Sequence, residues 1–386
     1  MRRVLFVTGI RSEYDILYSV MMAIAKEPAL RASVIVTGAH LSKAYGYTVR
    51  EIEKDGFRID GRIKNLSSSD SLVARAKSTA VQLAGLVDVF ARLQPDFVVA
   101  PMDREEAITV AVAGTYLRIP IVHLGGGDTA SDGNVDNPVR HAATKLAHLH
   151  FVVSDASAER VKRMGEEAWR VHTVGEPGLD RLLAAPEMPD EEFWKTLNSP
   201  VVKGHFAVVI QHSIVSDPGD AGQQMKTTLD ALVRLGVPAF VGYPNSDPGG
   251  RKILDVLQDY AGRYRGLIHV YGNLPRDVFV NLMRRARVLV GNSSCGIVEA
   301  PFLRLPAVNV GIRQRGREHA ENVQFVDHDI NQIMEAVRRA LSDNEYREKV
   351  ANCVNPYGDG HAGERIAAIL REQTVDERLL NKRNTY

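Results

Sequence analysis

The chain has 386 residues, with 48 Lys and Arg set against 47 Asp and Glu for a formal charge of +1. That balance excludes general affinity for nucleic acid or an anionic membrane, and the length suits two domains better than one core. Cys295 and Cys353 make no disulfide framework and fit a reducing compartment, and no run approaches the ~18 apolar residues of a membrane span. A cytoplasmic protein is expected.

The opening MRRVLFVTGIRSEYD has a short apolar run stopped by Arg11 and Glu13, so it reads as a strand over 4–8 and not as a signal peptide. A helix is expected over 16–26, which leaves Arg11 at the strand's carboxyl end, suited either to a salt bridge or to an anion. A second strand, 33–37, runs into Thr37-Gly38-Ala39-His40. Residues 47–55 read as helix and 57–63 as strand, and the polar patch 66–70 caps a long helix reaching about 93. Strand 97–100 ends in Pro101-Met102-Asp103-Arg104-Glu105-Glu106, followed by an Ala-rich helix to about 118.

Strand 121–124 leads into HLGGGDTASDGNVDNPVRHAATKLAHLHF, the densest polar segment. Gly125, Gly126 and Gly127 let the backbone approach something closely. Asp128, Asp132, Asp136, Arg140 and His141 follow. Asp136 and Arg140, four apart on a helix, either pair with each other or both face the same cleft as Asp103. Acids crowded at neighbouring strand ends are costly unless something uses or neutralises them. His148, His150 and His172 show no ligand pattern and read as structural, and no zinc-type spacing occurs anywhere. Strands 151–154 and 171–174 close a first domain over 1–175. The Pro- and Glu-rich segment 176–200 reads as a hinge, and a helical tail over 365–386 packs back on the first domain.

The second domain, 201–364, repeats the pattern with strands 207–211, 239–243, 267–271, 288–290 and 307–310. His212, the turn containing Asn245 and Asp247, and Asn273-Leu274 mark strand carboxyl ends, where ligands sit in open α/β sheets. In RVLVGNSSCGIVEAP a buried strand enters a polar turn, and a helix is expected from about Cys295 or Gly296 with Glu299 one turn in. Such a helix start, with Ser293 and Ser294, suits phosphate oxygens; the plain alternative is an N-cap that binds nothing. Glu299 lies too far along to favour an anion and is better placed for a diol such as ribose. Arg313, Arg315 and Arg317 crowd the loop after the next strand, where guanidinium pairs well with phosphate. Two doubly wound sheets, facing across a cleft, are the expected α/β architecture.

TGIRSEYDIL, TGAHLSKAYGYTV, HLGGGD with D-x-x-x-R after it, VGEPGLD, VGNSSCGIVEAP, VNVGIRQRGREHAENV and NPYGDGHAGERI occur in this order. By these segments nearly the whole chain resembles the hydrolysing UDP-N-acetylglucosamine 2-epimerases of sialic-acid-type pathways. It also resembles their relatives acting on diacetamido-trideoxy sugars, as in legionaminic acid pathways. The resemblance implies the GT-B architecture, two Rossmann-like domains with the nucleotide held mostly by the second. It places Ser293, Ser294 and Gly296 on the diphosphate, Glu299 on the ribose, and Arg11, Arg313 and Arg317 among the phosphate contacts. His40, Arg140, Asn245, Asp247 and Leu274 complete the candidate substrate-binding set. Asp103, Asp128, which stands where many members have Glu, Asp136 of D-x-x-x-R, and His212 are the candidate catalytic residues. No cofactor or metal is implied. The expected partner is a UDP-sugar, and a homo-oligomer, dimer or tetramer, is expected. Met102 and Ser213 depart from the usual Gly and Pro, which leaves the choice between the two sugar branches open.

The implied reaction removes the proton at C2 while UDP leaves C1, and water then adds across the resulting double bond to release the free 2-epimer. It asks for acid and base groups whose pKa values are pushed apart. The rival classes are a GT-B glycosyltransferase, a non-hydrolysing epimerase that retains UDP, and a non-catalytic nucleotide-sugar sensor.

Overall fold

The computed structural model describes residues 1–67, 71–129, 135–199, 204–214, 221–244, 249–272 and 274–386. They form two compact units: Met1–Thr129 with Val135–Arg181 and Tyr357–Tyr386, and Leu182–Pro356. The first holds β1 (Arg2–Thr8), β2 (Leu30–Val36), β3 (Ile59–Arg62), β4 (Phe97–Pro101), β5 (Ile121–Leu124), β6 (Leu149–Val152) and β7 (Val171–Thr173). All pair in parallel in the order β3-β2-β1-β4-β5-β6-β7. The second holds β8 (Ala207–Ile210), β9 (Ala239–Gly242), β10 (Ile268–Tyr271), β11 (Val288–Gly291), β12 (Ala307–Val310) and β13 (Val323–Val326), also parallel, in the order β10-β9-β8-β11-β12-β13. In each sheet the order reverses once, between β1 and β4 and between β8 and β11. The loops leaving those strands are where such a sheet opens a crevice for ligands.

Both faces of each sheet are covered, so the strands read as unbroken apolar runs. In the first sheet Val4, Phe6, Val34, Val36, Phe97 and Val99 pack on one side with Leu17, Met21, Ile366 and Leu370 of helices Arg11–Lys26 and Ala362–Glu372. Their neighbours Leu5, Val7, Ile35, Val98 and Ala100 pack on the other with Leu86, Phe90 and Val110. The second sheet divides its strands the same way, Val209, Val241 and Val290 against Val208, Phe240 and Leu289. No helix among the described residues is long and apolar enough to cross a membrane.

Local structure departs from the sequence reading at several points. The first helix begins at Arg11, not Ile16: Ile10 is extended, and the Glu13 carboxylate takes the Gly9 N–H at 2.8 Å, closing the turn. The long helix begins at Leu72, where Ser71 accepts from Ala74 N–H at 3.2 Å. Residues 323–326 form an edge strand absent from the expected set, because only Val326 of the four is buried and Gln324 interrupts the apolar run. No regular helix starts at Cys295. Ser294–Gly296 is a single 3-10 turn and the helix is Glu299–Phe302. Pro301 decides this. In a helix running from Cys295 it would lack the N–H owed to Ile297 and clash with that carbonyl; three residues in from Glu299, no N–H is owed. Glu299 therefore stands at a helix start, not one turn along. The segment 176–200, read as a hinge, contains helices Pro177–Ala184 and Asp190–Leu197, with Leu182 and Phe193 fully buried.

The C-terminal tail is fastened by Arg170, which is 1% exposed. Its guanidinium donates to the carbonyls of Leu379 and Arg378, both at 2.8 Å, and of His148 at 3.1 Å. The Trp169 ring lies between the guanidiniums of Arg170 and Arg378, 4.2 and 4.5 Å from its centroid. Arg170→Met leaves those carbonyls without a charged donor and is expected to destabilise the chain by roughly 3–5 kcal/mol. Urea unfolding measures this, and limited proteolysis should then cut first within 376–386; an unchanged midpoint would show that the tail is held otherwise.

Candidate functional site

In the first unit the loops leaving β4 and β5 bring charged side chains together. Asp103, directly after β4, pairs with Arg140, whose guanidinium is buried and also donates to the Asp128 carbonyl at 2.9 Å and to Asn137 Oδ1 at 3.2 Å. Arg140 does not pair with Asp136, because the Asp103 carboxylate takes it. Asp136 instead faces Arg75 at 3.4 Å, and Arg75 is also bound by Glu105. Burial, followed by the Asp103 charge, holds the Asp136 carboxyl above the usual carboxylate range. The Asp128 carboxylate accepts from Thr129 N–H at 2.8 Å. Asp103 and the Asp128 carbonyl thus share the Arg140 guanidinium, and Asp136 lies close enough to feel the Asp103 charge.

The three glycines approach the chain itself. A Cβ on Gly125 would lie 2.7 Å from Met102 Sδ, and one on Gly127 2.2 Å from the Ser157 carbonyl. Met102 has φ +50, a left-handed backbone that a glycine would hold without strain. His123 Nε2 donates to the Met102 carbonyl at 2.8 Å, which fixes its tautomer, and Nδ1 meets the Thr144 hydroxyl at 3.1 Å. His40, a candidate ligand, is wholly buried with its ring nitrogens against Thr48 at 2.7 Å and Thr8 at 3.2 Å. Arg11 makes an ion pair with Glu51 at 3.4 Å.

Sequence reading passed over Glu13, Arg104 and Glu106. Both carboxyls are buried at the switch point between β1 and β4, and Arg104 lies 4.0 Å from Glu106. The signal was present: each acid stands within a few residues of a strand end, just inside the next helix.

In the second unit the turn after β11 is built around Asn292, which is fully buried. Its Oδ1 accepts from His212 N–H and its Nδ2 donates to the His212 carbonyl, both at 2.8 Å, joining the ends of β8 and β11. Its own carbonyl accepts from Arg313 and from Gln314, each at 3.1 Å. Gly291 allows the approach: a Cβ there would lie 2.1 Å from the Ile210 carbonyl. Ser293 accepts from Cys295 N–H at 3.3 Å and so caps the 3-10 turn, as the plainer reading of this serine has it. Gly291, Ser293, Gly296 and Asn309 line a narrow crevice. Arg317 reaches Gln314 at 3.0 Å, whereas Arg315 turns away to Asp327 at 2.7 Å. Glu299 and Arg276 both act on the Cys295 thiol, which burial raises well above its usual range. Asn292, Gln314 and Arg276 were missed by sequence reading; Leu274 is half-buried in the loop before Arg276. Asn245 and Asp247 lie outside the described residues. Among the described residues no group of three or more His, Cys, Asp or Glu could hold a metal ion.

Two doubly wound parallel sheets, each carrying its polar residues at strand carboxyl ends, make this a GT-B protein. The Neisseria meningitidis UDP-GlcNAc 2-epimerase, solved bound to UDP-GlcNAc, matches the fold with a TM-score of 0.81 over 96% of this chain and 100% of that one, at 19% identity. The chain belongs to the UDP-N-acetylglucosamine 2-epimerase family, whose profile matches residues 22–371. It is 35% identical over 385 residues, 100% of both chains, to a hydrolysing UDP-N,N'-diacetylbacillosamine 2-epimerase of Legionella pneumophila. It is 31% identical over 348 residues, 90% of this chain and 89% of the other, to a hydrolysing GDP/UDP-N,N'-diacetylbacillosamine 2-epimerase of Campylobacter jejuni.

Burial holds His40 and His148 neutral down to about 4 and His123 to about 3. Unfolding returns each to about 6.5, so the unfolded chain binds more protons between the two values and stability is lost as pH falls through that window. Each group steepens the fall by up to about 1.4 kcal/mol per pH unit. His148→Gln should therefore flatten the decline measured by urea unfolding between about pH 6.5 and about pH 4; a slope equal to the wild type's would refute the assignment.

Proposed function

We propose that the chain is a hydrolysing nucleotide-sugar 2-epimerase acting on a UDP-linked 2,4-diacetamido-2,4,6-trideoxy sugar. The observation that carries this reading is the Asp103–Arg140 pair with Asp136 beside it, at the carboxyl ends of β4 and β5, in a chain that aligns end to end with a hydrolysing relative. A base takes the C2 proton, the C1–oxygen bond breaks with its electron pair leaving on the diphosphate, and a C1=C2 double bond forms. Water then gives its oxygen to C1, and a proton returns to C2 from the other face, releasing free sugar and UDP.

Asp136 is the proton-transfer group of this scheme, because a carboxyl held above its usual range is the stronger base. Asp103 is fixed by Arg140 and orients the acetamido sugar, while Asp128 serves the incoming water. In the second unit, Arg313 and Arg317 with the hydroxyls of Ser293 and Ser294 take the diphosphate. Glu299 accepts from the ribose diol, and His212, fixed by Asn292, assists departure of UDP. The sugar branch follows the Legionella and Campylobacter relatives.

Turnover in heavy water is expected to place deuterium at C2 of the released sugar, and labelled water its oxygen at C1 with none in UDP. Free sugar that keeps its C2 hydrogen would sink the elimination; UDP-epimer as the only product would make the enzyme non-hydrolysing. Asp136→Asn and Asp103→Asn should each lower kcat by roughly 10²–10⁴-fold.

Nucleotide binding is tested separately. By calorimetry Glu299→Ala should weaken UMP and UDP alike, whereas Ser294→Ala should weaken UDP more than UMP. Wild-type affinity in both variants would remove the nucleotide from this turn.

A further inference from the structure

Glu13, from the helix after β1, and Glu106, from the helix after β4, are each only 4% exposed. They meet around Gly9. The Gly9 N–H donates to Glu13 Oε2 at 2.8 Å, and a Cβ on Gly9 would lie 1.9 Å from Glu106 Oε1. The Thr37 hydroxyl donates to Glu106 Oε1 at 3.3 Å. The other two oxygens, Glu13 Oε1 and Glu106 Oε2, have no hydrogen-bond partner among the described residues. Two ionised carboxylates cannot share such a place without great cost, and one proton held by the pair relieves the repulsion and leaves one buried charge fewer.

The surrounding charges agree. Arg104 lies 4.0 Å from Glu106 and 3.5 Å from Glu105, and Glu105 is also bound by Arg75. Glu13, Glu105 and Glu106 therefore face the guanidiniums of Arg75 and Arg104, one negative charge in excess. His40, packed against Thr8, is neutral and adds nothing; Asp136, which also acts on Arg104, deepens the excess, whereas Asp103 is neutralised by Arg140. Burial raises both carboxyls, and the Glu106 charge raises Glu13 further.

We propose that Glu13 and Glu106 share a single proton across Gly9 and act as positioning residues that hold the Gly9–Arg11 turn and the Arg104 guanidinium for the chemistry at Asp103. The positioning role rests on the reaction proposed above; the shared proton does not. Loss of the proton at alkaline pH sets two like charges around Gly9, and the turn, whose Gly9 carbonyl also accepts from His40 N–H at 3.2 Å, relaxes together with Arg104.

Infrared spectroscopy of the full chain in heavy water reads the proton directly. A buried carboxylic C=O band is expected at neutral pH, lost in Glu13→Gln and equally in Glu106→Gln, because each leaves one ionised carboxylate beside Arg104. Absence of the band from the wild type at neutral pH, or its persistence unchanged in both variants, would overturn the proposal. In turnover, each single variant should lower kcat by about threefold and lose the alkaline decline of kcat, while the double variant should lose roughly tenfold or more with KM little changed. A merely structural role would lower thermal stability and leave the pH profile in place, so a single variant tracing the wild-type profile overturns the positioning role. A wild type that shows the band yet turns over no UDP-linked acetamido sugar would overturn the reaction and uphold the shared proton.

Discussion

The second unit depends on the side-chain amide of Asn292. At a topological switch point two adjacent parallel strands send their chains to opposite faces, so the loops after β8 and β11 diverge and leave backbone groups unpaired. An amide is the one side chain that offers a donor and an acceptor side by side, and Asn292 uses both on His212, as a backbone would. Its carbonyl collects Arg313 and Gln314 from the loop after β12. One buried residue thereby sets the place of an imidazole, a guanidinium and the Ser293–Gly296 turn. Asp in its place could accept but not donate, and Leu could do neither.

The first unit meets the same constraint with charge. The loops after β1 and β4 diverge around Gly9, and the carboxyl groups of Glu13 and Glu106 fill the gap. Acids at this position are tolerated because Arg104 stands beside them and because one oxygen of each is bound, Glu13 by the Gly9 N–H and Glu106 by the Thr37 hydroxyl. The arrangement stores electrostatic tension where an amide would store none. That tension is of use to an enzyme that must move protons, since it separates the affinities of neighbouring carboxyls.

Much of this was legible in the sequence. Parallel strands buried on both faces are short apolar runs, and loops at their carboxyl ends are polar, so the strand–loop rhythm and the positions of Asp103, Asp136, His212 and Ser293 could be read off directly. What escaped was whatever depended on a partner far along the chain. Asp136 and Arg140 lie four apart, and spacing suggests a pair; only the fold brings Asp103 to Arg140 from 37 residues away and breaks it. The glycines after His123 read as a close approach to something the sequence could not name, and they make room for Met102 and the Ser157 carbonyl. The 3-10 turn at Ser294 was legible in principle, since Pro301 forbids the longer helix that the Ser-Ser-Cys-Gly run alone suggests.

Met102 shows how the remaining strain is put to use. A non-glycine residue at φ +50 costs about 1 kcal/mol or more, and it persists only where its surroundings over-determine it. Here they do. The Met102 N–H donates to the Leu124 carbonyl at 3.0 Å, its carbonyl accepts from His123 at 2.8 Å, and its thioether packs against Gly125. A glycine would relax the backbone but surrender the packing, and with it the rigidity of the residue that follows. That residue is Asp103. Its carboxylate is therefore held from both directions, by a pinned backbone behind it and by Arg140 ahead, so the fold fixes its position before anything binds.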